Sequence, residues 1–167
     1  NAVKKSEIVF LEGYLWDEGE PKKAFEKAIN CANKVAMSLS DKFCVDRHKT
    51  HFFDLVKNKL DITFANEDEI MSLINAKDFK EVLTFAKEIK KLLIITRGEK
   101  GAISISGDEV IEVGIKKNLN IVDLTGAGDL FAAGYLHGLI NHFKQKECLE
   151  KGTEMSSKVI QQIGARI

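Results

Sequence analysis

Apolar residues along the chain form two patterns, short uninterrupted runs and longer runs that repeat every three or four positions. The run "KLLIITRG" (91–98) ends in a polar turn and is typical of a parallel strand covered on both faces. "EIVFLEG" (7–13) and "DITFAN" (61–66) predict two more buried strands, and "KFCVD" (42–46) predicts a short one. Periodic apolar positions predict helices over 21–39, 51–58, 67–74, 79–90, 127–142 and 147–163.

The order of these elements predicts an α/β fold. Segments 101–106 and 108–114 flank Gly107-Asp108 with alternating apolar residues, as in a β-hairpin. The other strands are separated by helices, and repeated strand, helix, strand units predict a mostly parallel sheet flanked by helices. Ligands of such sheets bind at the carboxyl ends of the strands. A single proline and the lack of a linker or repeat predict no internal domain boundary.

The composition of the chain limits which partners it can bind, where in the cell it is expected and which kinds of site it can form. Lys plus Arg and Asp plus Glu balance at 25 each, so no overall charge favours binding to nucleic acid or an anionic membrane. The lack of a long apolar run or a signal peptide favours a cytoplasmic protein. Cys31, Cys44 and Cys148 have no paired spacing, and His48 and His51 have no cysteine or carboxylate cluster nearby. We therefore predict buried thiols and surface or capping histidines rather than a disulfide or metal site.

A short glycine-rich motif stands where the extended segment 120–124 turns into the predicted helix. Its residues are Thr125, Gly126, Ala127, Gly128 and Asp129. Free amides and the helix dipole attract an anion to such a helix start, and small residues allow it to approach closely. A carboxylate beside an anion site needs another role, such as accepting a proton from a hydroxyl. The alternative is a plain helix start with Thr125 as the N-cap. A dinucleotide-binding motif fits less well, because its third glycine is replaced by Phe131.

The whole stretch "VDLTGAGDLFAAGYLHGL" (122–139) resembles the C-terminal signature of the ribokinase-like, or PfkB, family of carbohydrate and nucleoside kinases. The resemblance implies that Asp129 is the catalytic base and that the amides of residues 126–128 form an anion hole. It also implies phosphate contact for Thr125 and, for Asp123, a monovalent-cation site of the kind found in some members.

A second motif, "NEDE" (66–69), follows the predicted strand 61–66. It resembles the family's Asn-x-x-Glu motif, which implies that Asn66 and Glu69 help to organise magnesium and phosphate. Oxygen ligands one helical turn apart suit a magnesium ion that keeps most of its waters. The alternative is an Asn N-cap followed by acidic residues in the first turn of a helix.

A third motif, "TRGEKG" (96–101), follows the strongest predicted strand. It resembles the family's nucleotide loop, which implies that Thr96, Gly98 and Gly101 lie beside ATP. Glycines at both ends permit a turn whose backbone contacts a nucleotide. The alternative is an ordinary turn between two strands.

Two further stretches resemble the adenosine-kinase-like branch of the family, "FLEGYLW" (10–16) and "SKVIQQIGARI" (157–167). The resemblance makes Ser157, Ile160 and Gly164 loose candidates for one wall of an adenine pocket. An amphipathic helix ended by glycine explains the same residues without a site.

Together the motifs imply a three-layer ribokinase-like fold, with residues 1–167 as the C-terminal portion of a single kinase domain and with the N-terminal part and lid outside the chain. The implied activity is transfer of the γ-phosphoryl group of ATP, with Mg²⁺, to a hydroxyl of adenosine or of a sugar, as in a ribokinase or fructokinase. Potassium and a homodimer are left open. A non-catalytic nucleotide-binding module and a dinucleotide-dependent oxidoreductase are the rivals.

Overall fold

The computed structural model describes residues 2–16 and 21–167. These residues contain a six-stranded sheet whose strands lie in the order of the chain, from β1 to β6. The strands are β1 (Val9–Glu12), β2 (Val35–Ser38), β3 (Ile62–Asn66), β4 (Leu92–Thr96), β5 (Ala102–Ser106) and β6 (Glu109–Val113). The helices are α1 (Ala2–Lys5), α2 (Pro21–Cys31), α3 (Lys42–Asp54), α4 (Glu67–Ile74), α5 (Phe79–Ile89), α6 (Ala127–Ile140) and α7 (Gln145–Val159).

The sheet is mixed. β1, β2 and β3 pair in parallel, with Val9 opposite Val35 and Ala36 opposite Ile62. Parallel neighbours need a crossover, which α2 and α3 supply. Only the two-residue turn 107–108 joins β5 to β6, and so short a connection joins antiparallel strands. The carboxyl ends of β1 to β3 therefore share one edge of the sheet.

The single helix expected over 21–39 is wrong beyond Cys31. α2 ends there, and Val35, Ala36 and Met37 are buried in β2. The spacing of Val35 and Leu39 also fits a helix, which explains the error. Strand geometry prevails because parallel partners lie on both sides of β2.

The strand expected over 42–46 is also wrong, because these residues begin α3. Asp41 is the N-cap of α3, and its Oδ1 accepts a hydrogen bond from the Cys44 amide at 2.5 Å. A short apolar run does not distinguish a strand from a helix, whereas a capping carboxylate favours the helix. The helix expected over 51–58 is the end of α3 followed by a π-helical turn, Leu55–Lys59.

The described residues form two compact units. The first comprises residues up to Ile95 together with Ile105–Val110, and the second comprises Thr96–Ser104 with Ile111–Ile167. Phe52 and Leu60 are fully buried in the first unit, as are Tyr135 and Leu149 in the second. The assignment of residues 1–167 to one portion of a single domain stays a prediction. Within residues 2–16 and 21–167, no helix has the length and apolar character needed to cross a membrane.

Candidate active site

The start of α6 is held by a close approach of two backbone segments in the second unit. Gly126 is the residue before the helix and has a left-handed φ of 77°. A Cβ atom at Gly126 would lie 2.7 Å from Ala165 Cβ and 2.9 Å from Ala165 Cα. Both the φ angle and the contact require glycine here. Gly126 rather than Thr125 is the N-cap, and no side chain caps the helix.

The glycines farther along α6 allow it to pack closely on α7. A Cβ atom at Gly134 would lie 2.7 Å from the Lys151 carbonyl oxygen and 3.0 Å from Gly152 Cα. Gly138 similarly faces Cys148, whose Cα would be 3.2 Å away. These glycines therefore allow the two helices to pack closely.

The first amides of α6 are not equivalent as possible anion donors. The Ala127 amide already donates to the Leu124 carbonyl at 3.1 Å. Gly128 is exposed, and nothing lies within 4 Å of the place where its Cβ atom would be. An anion can therefore come close to the Gly128 backbone, at the positive end of the helix dipole. The Ala127 amide could take part only by sharing its hydrogen with Leu124.

Asp129 lies in the first turn of α6 and is exposed. Within residues 2–16 and 21–167, no hydrogen bond or ion pair involves its carboxylate. A carboxylate without a partner can accept a proton from a hydroxyl that reaches it. The geometry is compatible with the predicted base.

Asp123 is engaged by protein donors on both of its oxygens. Oδ1 accepts hydrogen bonds from the Thr125 amide at 2.9 Å and the Thr125 hydroxyl at 2.7 Å. Oδ2 accepts one from the Gly164 amide at 2.9 Å. The Thr125 hydroxyl, followed by the Gly164 and Thr125 amides, holds the pKa of Asp123 below its usual range. Three protein donors thus stabilise the ionised carboxylate, and the monovalent-cation role of Asp123 stays a prediction.

Asn66 and Glu69 form a reciprocal capping box at the start of α4. The Asn66 Oδ1 accepts from the Glu69 amide at 2.8 Å, and the Glu69 Oε2 accepts from the Asn66 amide at 2.9 Å. The Asn66 side-chain amide also donates to Glu69 Oε1 at 2.6 Å. The capping alternative is therefore present, and a metal role for the same pair stays a prediction.

Glu69 is also chemically unusual. Burial raises its pKa from 4.5 to about 7, against the lowering effect of the Asn66 amide, and the charges of Asp41 and Asp68 raise it further. An acidic surrounding of this kind favours a nearby cation. No group of three His, Cys, Asp or Glu in the described residues could hold a metal ion. An indirect role of Glu69 beside a magnesium ion that keeps most of its waters stays a prediction.

The predicted nucleotide loop is a tight turn between β4 and β5. The Arg97 amide donates to the Gly101 carbonyl at 2.8 Å, and the Gly101 amide donates to the Gly98 carbonyl at 3.1 Å. Gly101 has a φ of 87°, and Val113 occupies the space that its side chain would need. Nothing lies within 4 Å of the Cβ position of Gly98, so this end of the turn is open to a ligand. Nucleotide contact by Thr96, Gly98 and Gly101 stays a prediction.

A polar network that the sequence does not indicate lies at the carboxyl ends of β1 and β2. The Tyr14 hydroxyl donates to Asp41 Oδ2 at 2.9 Å, and the Tyr14 amide donates to Ser40 Oγ at 3.1 Å. Ser40 Oγ in turn donates to Glu12 Oε2 at 3.3 Å. Partial burial, followed by the hydrogen bond to Asp41, raises the pKa of Tyr14 to about 12. The N-cap signal of Asp41 indicates the start of α3, but no local signal indicates the contact with Tyr14, which stands 27 positions away.

The remaining candidates have mainly structural contacts. Ser157 is buried in α7, and Ile160 is the C-cap of that helix. The rings of His48 and His51 are tilted against aromatic rings, with centroids 5.6 Å from Phe52 and 5.9 Å from Trp16 respectively. These histidines therefore belong to an aromatic cluster.

Comparison with known proteins identifies the family. The model of the pfkB family carbohydrate kinases matches residues 1–167. The chain belongs to this family. The pfkB family assignment confirms the resemblance carried by the three motifs, each of which lies at the end of a strand or the start of a helix.

Individual relatives of this pfkB family chain are kinases of nucleosides and sugar phosphates. Adenosine kinase from Sinorhizobium meliloti is 37% identical, with a TM-score of 0.96 over 99% of this chain and 52% of that protein. The cytidine kinase of Thermococcus kodakarensis is 35% identical over 112 residues, 65% of this chain and 40% of the relative. The ATP-dependent 6-phosphofructokinase of Thermoanaerobacterium thermosaccharolyticum is 36% identical over 109 residues, 64% of this chain and 33% of the relative.

The structural likeness confirms the predicted α/β fold of ribokinase-like type. The chain spans about half the length of the adenosine kinase and less of the other two relatives.

Proposed function

We propose that the protein containing this chain is an ATP- and magnesium-dependent kinase that phosphorylates a hydroxyl of a nucleoside, with adenosine as the first candidate. The observation that carries the proposal is the start of α6, where the exposed Asp129, which has no partner among the described residues, lies next to the open backbone of Gly128. A proton acceptor and an anion-binding helix end are the two groups that phosphoryl transfer to a hydroxyl needs.

In the proposed reaction, the acceptor oxygen attacks the γ-phosphorus of ATP while the bond to the β,γ-bridging oxygen breaks and releases ADP. Asp129 takes the hydroxyl proton. The amides of Gly126 and Gly128, with Ala127 as a shared donor, stabilise the charge that builds on the phosphoryl oxygens. Magnesium neutralises phosphate charge when bound, and Glu69 with Asn66 would hold its water shell. The turn from Thr96 to Gly101 would lie along the nucleotide.

Relatives support a nucleoside as acceptor, because two similar proteins are named adenosine kinase and cytidine kinase. A sugar phosphate is the second candidate, because a relative of similar identity is an ATP-dependent 6-phosphofructokinase. The full-length protein assayed with adenosine, cytidine, ribose, fructose and fructose 6-phosphate decides between these acceptors. Binding of ATP without turnover on any of them would favour a non-catalytic nucleotide-binding module.

Asp129→Asn in the full-length protein tests the mechanism, since it keeps the shape of the side chain and removes the base. We expect turnover to fall by at least about 10²-fold. Asp108→Asn is the matched control, because Asp108 is a fully exposed turn residue with only a 3.9 Å ion pair to Lys87. Turnover by Asp129→Asn within a few-fold of the control would refute the assignment.

A further inference from the structure

The C-terminal segment 160–165 lies against the turn 122–126 that leads into α6, and both belong to the second unit. The amides of Val122 and Asp123 donate to the Ile160 carbonyl at 2.8 and 3.3 Å. At the other end of the turn, the space beside Gly126 is filled by Ala165. The two segments are therefore in contact at both ends of the turn.

Asp123 supplies the charged link between these segments. One oxygen accepts both the amide and the hydroxyl of Thr125, and the other accepts the Gly164 amide. Gly164 is 41 positions away in the sequence. Hydrogen bonds to an ionised acceptor are stronger than those between neutral groups. A single carboxylate thus fixes the conformation of the turn and also binds it to the C-terminal segment.

We propose that Asp123 is a positioning residue that fastens segment 160–165 to turn 122–126 and thereby holds the amides of residues 126–128 in the orientation needed for phosphoryl transfer. The proposal rests on the proposed kinase function of the same site. Amide donors stabilise a transition state only when they are oriented in advance. Gly126 has no side chain to restrict its backbone, so the orientation has to come from contacts outside the helix.

Asp123→Asn in the full-length protein tests the fastening directly. An amide side chain has one acceptor oxygen, so it can serve Thr125 or Gly164 but not both. Loss of a hydrogen bond to a charged group should accelerate exchange of the released amide at least about 10-fold. Hydrogen exchange at Thr125 and Gly164, followed by NMR, measures this change. We expect kcat to fall by about the same factor, with a smaller change in KM for ATP.

Glu150→Gln is the matched control, because it removes the same charge from an exposed ion pair on α7, 3.9 Å from Lys146. It should leave both exchange and kcat unchanged. A Gly164 amide that exchanges in the unmodified protein as fast as an exposed peptide would overturn the proposal, even if Asp123→Asn fails to fold. Unchanged exchange in the variant, or faster exchange without a fall in kcat, would also overturn it.

Potassium provides a further discriminating measurement. If raising its concentration restores the kcat of Asp123→Asn, Asp123 acts as a cation ligand and the fastening role is wrong. A kcat that stays low at every potassium concentration supports the fastening. Failure of the kinase function itself is recognised separately, because the unmodified full-length protein would then phosphorylate none of the acceptors, while the exchange data would still report on Asp123.

Discussion

Replacing Glu69 by glutamine would reveal how much ionisation of the buried carboxyl at the start of α4 lowers the free energy of unfolding. Glu69 is 5% exposed, and its pKa in the folded protein is about 7 against an ordinary value of 4.5. At 1.36 kcal/mol for each pKa unit, this difference corresponds to about 3 kcal/mol. The pKa of Glu69 is higher in the folded protein than in the unfolded chain. The contribution of its protonated form to the free energy of unfolding is therefore fully present below about pH 4.5 and is lost as the pH rises through about 7.

The measurement is urea unfolding of the full-length protein and of Glu69→Gln, without magnesium, from pH 5 to pH 8.5. Glutamine keeps an acceptor for the Asn66 amide but carries no charge, so the capping box survives in part. From pH 5 to pH 8.5, the free energy of unfolding of the wild type should fall by up to about 3 kcal/mol relative to that of Glu69→Gln. The comparison cancels the titration of carboxyl groups that both proteins share.

Glu88→Gln is the control, because Glu88 is an exposed carboxyl on the neighbouring helix α5. Its stability should follow that of the wild type at every pH. If the curves of the wild type and Glu69→Gln run parallel to within about 0.5 kcal/mol, ionisation of Glu69 carries no such cost and the reasoning from burial fails.

Three other substitutions test the packing and the polar network. Gly134→Ala should lower the free energy of unfolding by about 1–3 kcal/mol, since its Cβ would lie 2.7 Å from the Lys151 carbonyl. Gly128 is in the same helix, but nothing lies within 4 Å of its Cβ position. Gly128→Ala should therefore leave the free energy of unfolding unchanged or raise it by up to about 1 kcal/mol. A fall in the Tm of this variant would show that the space is not open. Tyr14→Phe should lower the free energy of unfolding in urea by about 0.5–1.5 kcal/mol, because it removes one hydrogen bond from Asp41 and leaves the cap of α3 intact. A loss of several kcal/mol would mean that the hydroxyl of Tyr14 stabilises more than this one bond.

Local signals explain what the sequence could predict. The apolar run of β4 and the N-cap pattern of Asn66 and Glu69 each depend on neighbouring residues, and both appear in the structure where expected. The glycine motif before α6 likewise marks a real helix start, although the cap is Gly126 rather than Thr125. The family resemblance is confirmed by the match over residues 1–167, while the catalytic roles of its motif residues stay predictions.

Contacts between distant residues explain what the sequence could not predict. Val35 to Ser38 form a strand because partners from residues 9–12 and 62–64 pair with them, and nothing local distinguishes this segment from helix α2. The bond between Asp123 and Gly164 is equally invisible, since the two residues stand 41 positions apart. The structure shows donors from the same chain on both oxygens of Asp123, and the cation site that the resemblance implies for this residue stays a prediction.

The close glycine contacts between α6 and α7 also restrict how the candidate site can move. Backbone atoms of α7 fill the places where side chains of Gly134 and Gly138 would stand, and Phe131 does the same for Gly152. Sliding either helix by one residue would bring a larger side chain into one of these contacts, at a cost typical of overpacked cores. We therefore expect any motion that displaces Asp129 along the axis of α6 to carry α7 with it.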